Sequence, residues 1–395
     1  MSSMNEKGPI LPSHQDGCHC YEEEGCKHNS VRTSQRRLCI RSFVSRFFQV
    51  LILCAALYGT FQWIDKKHVD SGKDVDSQQK IVDMNGFNSN VALTNDRNDA
   101  HLTYLCKGEL TLPLKGDTNI SIDASIFNRL EIKQRAETMK GYQVELANGK
   151  TTVRKSDDAA TTTVTIKING NDPELADIFW IEQNENPQDG RYEIVIHQEE
   201  NFQIQNGCVS IDVDVVVPES NSLKSLRLMM ASNKMLFLEG LDFADSLDIS
   251  TANGDIEFEK GISSGRTNLR TANGRISGTL RNLYADLSFT TANGVANVRV
   301  EEISPSKEEK AASVALSGST ANGSIKLQLP SHFESQFSLT SFTGRRIVEV
   351  SEPKKLHINH WSWGSTKGYY GDSPAVKDRV SLTAANGNLD LLYNV

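Results

Sequence analysis

Several signatures are missing from this chain of 395 residues. It has no His-Glu-x-x-His pair and no glycine-rich phosphate loop, so nothing in it argues for a zinc peptidase or a P-loop nucleotide enzyme. Net positive charge is also missing. Lys and Arg number 42 against 50 Asp and Glu, and the acidic excess lies beyond Ile64, which makes nucleic acid and anionic headgroups poor partners. Sustained helical periodicity is absent as well. Even Glu131 to Lys140, rich in helix formers, shows no apolar stripe. Aromatic residues make up only 7%, so a local cluster of them stands out.

What the chain does have is repetition. Thr-Ala-Asn-Gly occurs at Thr251 to Gly254, Thr271 to Gly274, Thr291 to Gly294 and Thr320 to Gly323, and an altered copy, Thr383-Ala384-Ala385-Asn386-Gly387, lies near the C-terminus. The first three copies recur every 20 residues. A fixed short period marks a repeat architecture, in which each unit buries its apolar face by stacking on its neighbours. Aligned on Asn253, Asn273 and Asn293, each unit shows an alternating run before the motif, such as Leu247 and Ile249. Another follows it, such as Ile256 and Phe258. Both read as half-buried strands with a bend at Asn-Gly. A hairpin with a type I′ turn would give a similar local pattern, but three matches at one period favour stacked rungs.

Strict alternation from Leu247 and Ile249 places Thr251 and Asn253 inward, at the corner. A buried amide needs a partner, and stacked Asn side chains supply one another with hydrogen bonds. Asn253, Asn273, Asn293, Asn322 and Asn386 are therefore expected to form a structural ladder. The following Gly is expected to take the positive φ of a tight bend.

The run Val209 to Val395 resembles the adhesin domains of bacteria and fungi. The likeness rests on Val213-Asp214-Val215-Val216-Val217-Pro218, on Leu238-Glu239-Gly240-Leu241, on the T-x-N-G units and on the glycine-containing lead-in to the last of them, Ser362 to Leu392. The resemblance implies an all-β fold, a repeat β-solenoid resembling a β-helix with rungs of about 20 residues, and a surface or adhesive role without catalytic residues or cofactor. The gaps before the fourth and fifth units are longer than the family's pattern.

Ahead of the repeats, Phe47 to Ile64 is an apolar run of about 18 residues, just long enough to span a bilayer, with Trp63 at its far end as an interfacial anchor. A cleaved signal peptide is the competing reading, but the preceding segment is long for an n-region and no clear cleavage site follows. Arg32, Arg36, Arg37, Arg41 and Arg46 outweigh Lys66, Lys67 and Lys73 across the run, so the N-terminus is expected in the cytosol. The expected organisation is a disordered cytoplasmic tail (1–46), a transmembrane helix acting as signal anchor (47–64) and a stalk (65–80). An ectodomain (81–395) follows, with its clearest repeats in 247–395. The protein is then single-pass type II, its C-terminal domain extracellular or lumenal. Within the ectodomain, Thr161 to Ile168, Tyr192 to His197 and Val209 to Val217 read as further strands, and Ala147-Asn148-Gly149 as a degenerate early unit.

Among the seven cysteines, only Cys106 and Cys208 fall on the extracellular or lumenal side under this topology, and they are expected to form one disulfide, two buried thiols being the competing reading. Cys18, Cys20, Cys26 and His28 in the tail have zinc-compatible types without the paired spacing of a zinc module, so no metal site is assigned. Cys39, beside Arg37 and Arg41, fits S-palmitoylation. Asn119-Ile120-Ser121 is an acceptor sequon for glycosylation. Asn322-Gly323-Ser324 also matches, but its Asn is expected to be hidden in the ladder.

Trp361, Trp363, Tyr369 and Tyr370 are the aromatic cluster, a candidate contact surface for a cell-surface glycan or protein; the other reading is a loop that caps a solenoid edge. The alternative function is a carbohydrate-active enzyme on the same scaffold. Such enzymes set carboxylates side by side, whereas Asp248 is expected over Asn268 and Ser288, and Asp255 over Arg275 in a weak surface pair.

Overall fold

The computed structural model describes residue 106 and the segments 110–135, 144–199, 207–220, 223–304 and 313–394. The expected tail (1–46), span (47–64) and stalk (65–80) lie outside the described residues. Among those described, no helix is long and apolar enough to cross a membrane.

The described chain is nearly all strand. Its repeats pair in parallel and in register: Leu247 aligns with Thr267, Ile249 with Leu269 and Asn253 with Asn273, and the next level repeats the match with Leu287, Phe289 and Thr291. The second strand of each unit does the same, Ile256 over Ile276 and Ile276 over Ala296. Two columns of parallel strands result, one before each Asn-Gly corner and one after it.

Alternation sends Leu247 and Ile249 inward from the first column, and Ile256 and Phe258 inward from the second, where all are buried. A single apolar core runs through all levels. Each fully buried Leu, Ile or Phe contributes about 1.5–3 kcal/mol, so stacking carries the stability of the fold. Bulky residues are matched by glycine on the adjoining level. A Cβ on Gly278 would come within 2.6 Å of Phe258, and one on Gly318 within 2.4 Å of the Phe289 ring.

Stack order and chain order differ at both ends. Ser225–Met230 with Asn233–Phe237 sits on the first motif-bearing unit. Arg129–Gln134 with Gly149–Ser156 sits on that, and the later Arg191–Gln198 with Gly207–Pro218 lies outermost. At the other end, the last unit in sequence, Arg379–Asn386 with Leu389–Tyr393, pairs with Ala315–Asn322 and Ile325–Leu329 on one side. On its other side it pairs with the earlier Ser335–Ser341 and Arg346–Val350. The longer gap before the last motif copy is thus the chain running out to build the terminal level before returning to fill the place beneath it.

The outermost first-column strands are covered by antiparallel partners, which shift the sheet edge away from the stacked rungs. Phe179–Asn186 covers Arg191–Gln198. Ser365–Tyr370 covers Ser335–Ser341 and is itself flanked by Leu356–Trp361. In the second column Thr162–Gly170 covers Gly207–Pro218.

Candidate functional site

The repeated corner is built from three side-by-side columns. Asn273 donates its side-chain amide to Asn253 Oδ1 at 2.9 Å, Asn293 to Asn273 at 2.8 Å, Asn322 to Asn293 at 2.9 Å and Asn386 to Asn322 at 2.9 Å. The inward placement expected from strict alternation is corrected. All five Asn are exposed, and the buried corner residue lies two positions earlier, a Thr in the first four copies and Ala384 in the last. The chain turns immediately after that residue, so alternation stops there and Asn swings to the solvent side. Thr271 and Thr291 donate their hydroxyls to the Gly254 and Gly274 carbonyls of the adjoining level, at 2.9 and 3.1 Å.

The role of glycine is corrected too. Among these corners only Gly387 has a positive φ. Instead, a Cβ on Gly254, Gly274, Gly294 or Gly323 would lie within 2.0 Å of a carbonyl oxygen of the neighbouring level. Glycine is required because backbones approach closely there. Asn322, expected to be hidden, is exposed, and its amide is engaged in the ladder. The same corner recurs at Ser341-Phe342-Thr343-Gly344, where Ser341 donates to the Gly387 carbonyl at 2.8 Å and Thr343 to Asn386 Oδ1 at 3.3 Å. Its changed letters concealed it in the sequence.

The aromatic cluster divides. Tyr370 is fully buried, stacked on Tyr393 with centroids 4.5 Å apart, and donates to the Ser331 carbonyl at 2.8 Å. Its assignment as a contact residue is corrected, because alternation along Ser365–Tyr370 turns it inward. Burial pushes the Tyr393 hydroxyl pKa well up. Tyr369 faces outward and stacks on His357 at 4.4 Å. Trp361 and Trp363 remain 65% and 61% exposed, beside exposed Phe342 and Ile358, and Phe342 meets Trp363 edge-on at 5.1 Å. The residue that gathers them is Arg346. Its guanidinium donates to the carbonyls of Ser362 and Trp363 at 3.0 Å each, to Thr366 Oγ1 at 3.2 Å, and to the carbonyls of Ser341 and Gly344 at 3.2 and 3.4 Å. Arg346 thereby ties the hairpin turn to the terminal corner. Nothing in the sequence marked it, since its partners are mostly backbone carbonyls brought together by the fold.

Cys106 and Cys208 are joined, with Cα atoms 5.5 Å apart. Asn119 is exposed on Thr118–Ile122 and accepts from the Thr165 hydroxyl at 2.8 Å.

Asp248 aligns with Asn268 and then Ser288. The expected side-chain pair of Asp255 and Arg275 is corrected: Asp255 Oδ1 accepts from the Arg275 backbone N–H at 2.7 Å. The chain also spells G-x-S-x-G, at Gly261-Ile262-Ser263-Ser264-Gly265. These residues lie within the continuous strand Ile256–Asn273 with both serines buried, whereas a nucleophile elbow needs a sharp strand-to-helix turn with an exposed Ser.

Two outer-face clusters were not read from sequence. Lys133 pairs with both Glu131 and Glu193 at 2.9 Å, and Arg227 joins Glu131 to Asp248. Burial pushes the Glu193 carboxyl up, but the Lys133 hydrogen bond and charge outweigh it and leave its pKa lowered. His197 Nε2 lies 2.7 Å from Glu182 Oε2 under the stacked Trp180 ring. Among the described residues no group of His, Cys, Asp and Glu is arranged to hold a metal ion.

No family model matches the chain, and no curated protein does. Among solved structures it is similar to a putative cell adhesion protein from Clostridium sporogenes, at 8% identity over 70% of this chain and 98% of that one, with a TM-score of 0.28. It is also similar to a putative adhesin from Bacteroides fragilis, at 10% identity over 71% and 99%, TM-score 0.32. A third is a putative lipid binding protein from Parabacteroides distasonis, at 13% identity over 69% and 95%, TM-score 0.30.

Proposed function

We propose that this protein is a membrane-anchored, adhesin-like binding protein: a β-solenoid ectodomain, held by a single type II span at 47–64, that engages a cell-surface glycan or protein and performs no catalysis. The observation that carries this reading is the terminal group Phe342, Ile358, Trp361 and Trp363, exposed together yet held by the five hydrogen bonds of Arg346. Exposed aromatics are costly to leave in water, and large rigid ones supply contact area at little entropic cost. Their position at the end of the stack leaves them open to a partner. A carbohydrate-active enzyme would need two carboxylates facing each other across a substrate; Asp248 instead meets Arg227 and Asn268, and Glu131 and Glu193, in register on adjoining levels, are both engaged by Lys133.

The test is Trp361→Ala combined with Trp363→Ala in the full-length protein. Loss of binding to cells and glycan arrays with an unchanged melting temperature is expected. A lowered melting temperature or aggregation would assign the pair to capping alone, and turnover of any glycan would favour the enzyme. Protease protection with a tag at each end tests the anchor; the C-terminal tag should be reached only from outside the cell or inside vesicles.

A further inference from the structure

The outward face of the terminal sheet carries a second feature, distinct from the tryptophan surface. Trp361 pairs with Thr366, which is buried, so Trp361 lies on the inward side of the hairpin. Lys367 and Tyr369 alternate to the other side. Register then sets two cross-strand rows there. Arg379, Gln336, Tyr369 and His357 form one. Ser381, Ser338, Lys367 and His360 form the other. The loop between Tyr370 and Arg379 folds over this face, pinned by Gln336 Nε2 to the carbonyls of Pro374 at 3.3 Å and Val376 at 3.0 Å. Between loop and sheet is an open cleft of about 370 Å³, lined by Arg379, Lys367, Tyr369, Gln336, Asn359 and Ser381 among others.

The charge of this cleft runs against that of the chain. In a protein with net charge −8, the cleft is lined by two exposed cations, Arg379 and Lys367, and by no carboxylate. The nearest acid in sequence, Asp378, is turned to the Val314 backbone N–H at 2.8 Å. Two cations at one cleft attract an anion. A bare inorganic anion would make no use of the rest of the lining. Tyr369 backed by His357 offers a flat apolar platform, and Asn359 and Ser381 offer amide and hydroxyl partners for a polyhydroxylated ring. Guanidinium and ammonium groups suit a carboxylate.

We infer that this cleft binds an acidic sugar, a hexuronate residue of a glycan chain, with its ring against Tyr369 and its carboxylate between Arg379 and Lys367. The site is separate from the tryptophan surface, so the double tryptophan variant should leave it intact. The probe is tetragalacturonate, titrated calorimetrically into the full-length protein, with its fully methyl-esterified form as the uncharged counterpart of the same shape. Saturable binding is expected, weakened about tenfold or more by esterification, by Arg379→Gln or by Lys367→Gln, as for loss of a charge-assisted hydrogen bond. Tyr369→Ala should weaken it as well, and all these side chains are at least partly exposed, so an unchanged melting temperature is the fold control. Equal affinity for the ester, indifference to both charge variants, or no binding overturns the proposal. Equal affinity for tetraglutamate would overturn the sugar assignment in favour of acidic peptide, and competition by sulfate alone at equal concentration would reduce the cleft to a simple anion site.

Discussion

Asn322 and Asn386, 64 residues apart in the chain, share a side-chain hydrogen bond of 2.9 Å. That contact places the last motif copy directly on the fourth, although the terminal level and the hairpin intervene in sequence. The ladder therefore follows the stack and not the chain, and each inner amide serves two neighbours.

Asn273, in mid-ladder, gives and receives one bond. Because it is exposed, water replaces part of what is lost, and Asn273→Ala should cost about 1 kcal/mol, lowering the melting temperature by about 2–4 °C. Asn297→Ala, on the exposed outer face, should stay within about 0.5 kcal/mol. Thermal melts giving equal shifts for the two would show that the ladder adds no stability.

Glycine at the corner should matter more than the asparagine beside it. A Cβ on Gly274 would stand 2.0 Å from the Gly254 carbonyl oxygen, and that oxygen belongs to backbone held on both sides. Gly274→Ala should exceed the usual cost of overpacking, at about 3 kcal/mol or more. Gly364→Ala, whose nearest atom would be 3.7 Å away, should fold normally. Comparable denaturant midpoints for the two variants would refute the close-approach account.

The legible part of this fold was its period. Residues aligned on Asn253, Asn273 and Asn293 do pair in register, because one spacing repeated three times leaves few ways to stack. Ser341-Phe342-Thr343-Gly344 keeps the corner geometry with different letters and was not seen. The order of levels at either end was illegible for a different reason: register between strands such as Arg129–Gln134 and Arg191–Gln198 depends on long-range pairing that no local pattern encodes. Glu131 to Lys140 illustrates the limit of propensity. Helix-forming residues at Glu131 to Gln134 lie in a strand, where Lys133 and Glu193 pair across adjoining levels. Trp361 and Tyr370 share the inward face of the hairpin, because a bulge near Ile358 brings Trp361 opposite Thr366; Tyr370 is covered by Tyr393 while Trp361 stays exposed, a difference that spacing alone did not reveal.

Thr267 occupies a leucine position, between Leu247 and Leu287 in the first column. It is fully buried, and its hydroxyl has no hydrogen-bond partner. Thr267→Val keeps the shape and removes the unsatisfied group, so it should stabilise by about 1–2 kcal/mol. A melting temperature that falls in the variant would mean that the hydroxyl is bonded after all.

Arg346 should hold the hairpin turn more than it holds the fold. Its five hydrogen bonds reach three separate places, the corner at Ser341 and Gly344, the strand at Thr366, and the turn at Ser362 and Trp363. A planar fork of five donors can serve that geometry, whereas a lysine ammonium cannot span it. Arg346→Lys should therefore leave Ser365–Tyr370 paired with Ser335–Ser341, since those bonds are backbone to backbone, while freeing the turn. Two readouts separate these effects. Hydrogen exchange of the amides near Trp363 and chymotryptic cleavage after Trp361 and Trp363 should accelerate by about tenfold, the equivalent of losing about 1.4 kcal/mol of local stability. Global melting should shift only slightly. If the lysine variant retains slow cleavage and slow exchange at the turn, the tryptophans are held by their own packing against Phe342, and Arg346 has no positioning role.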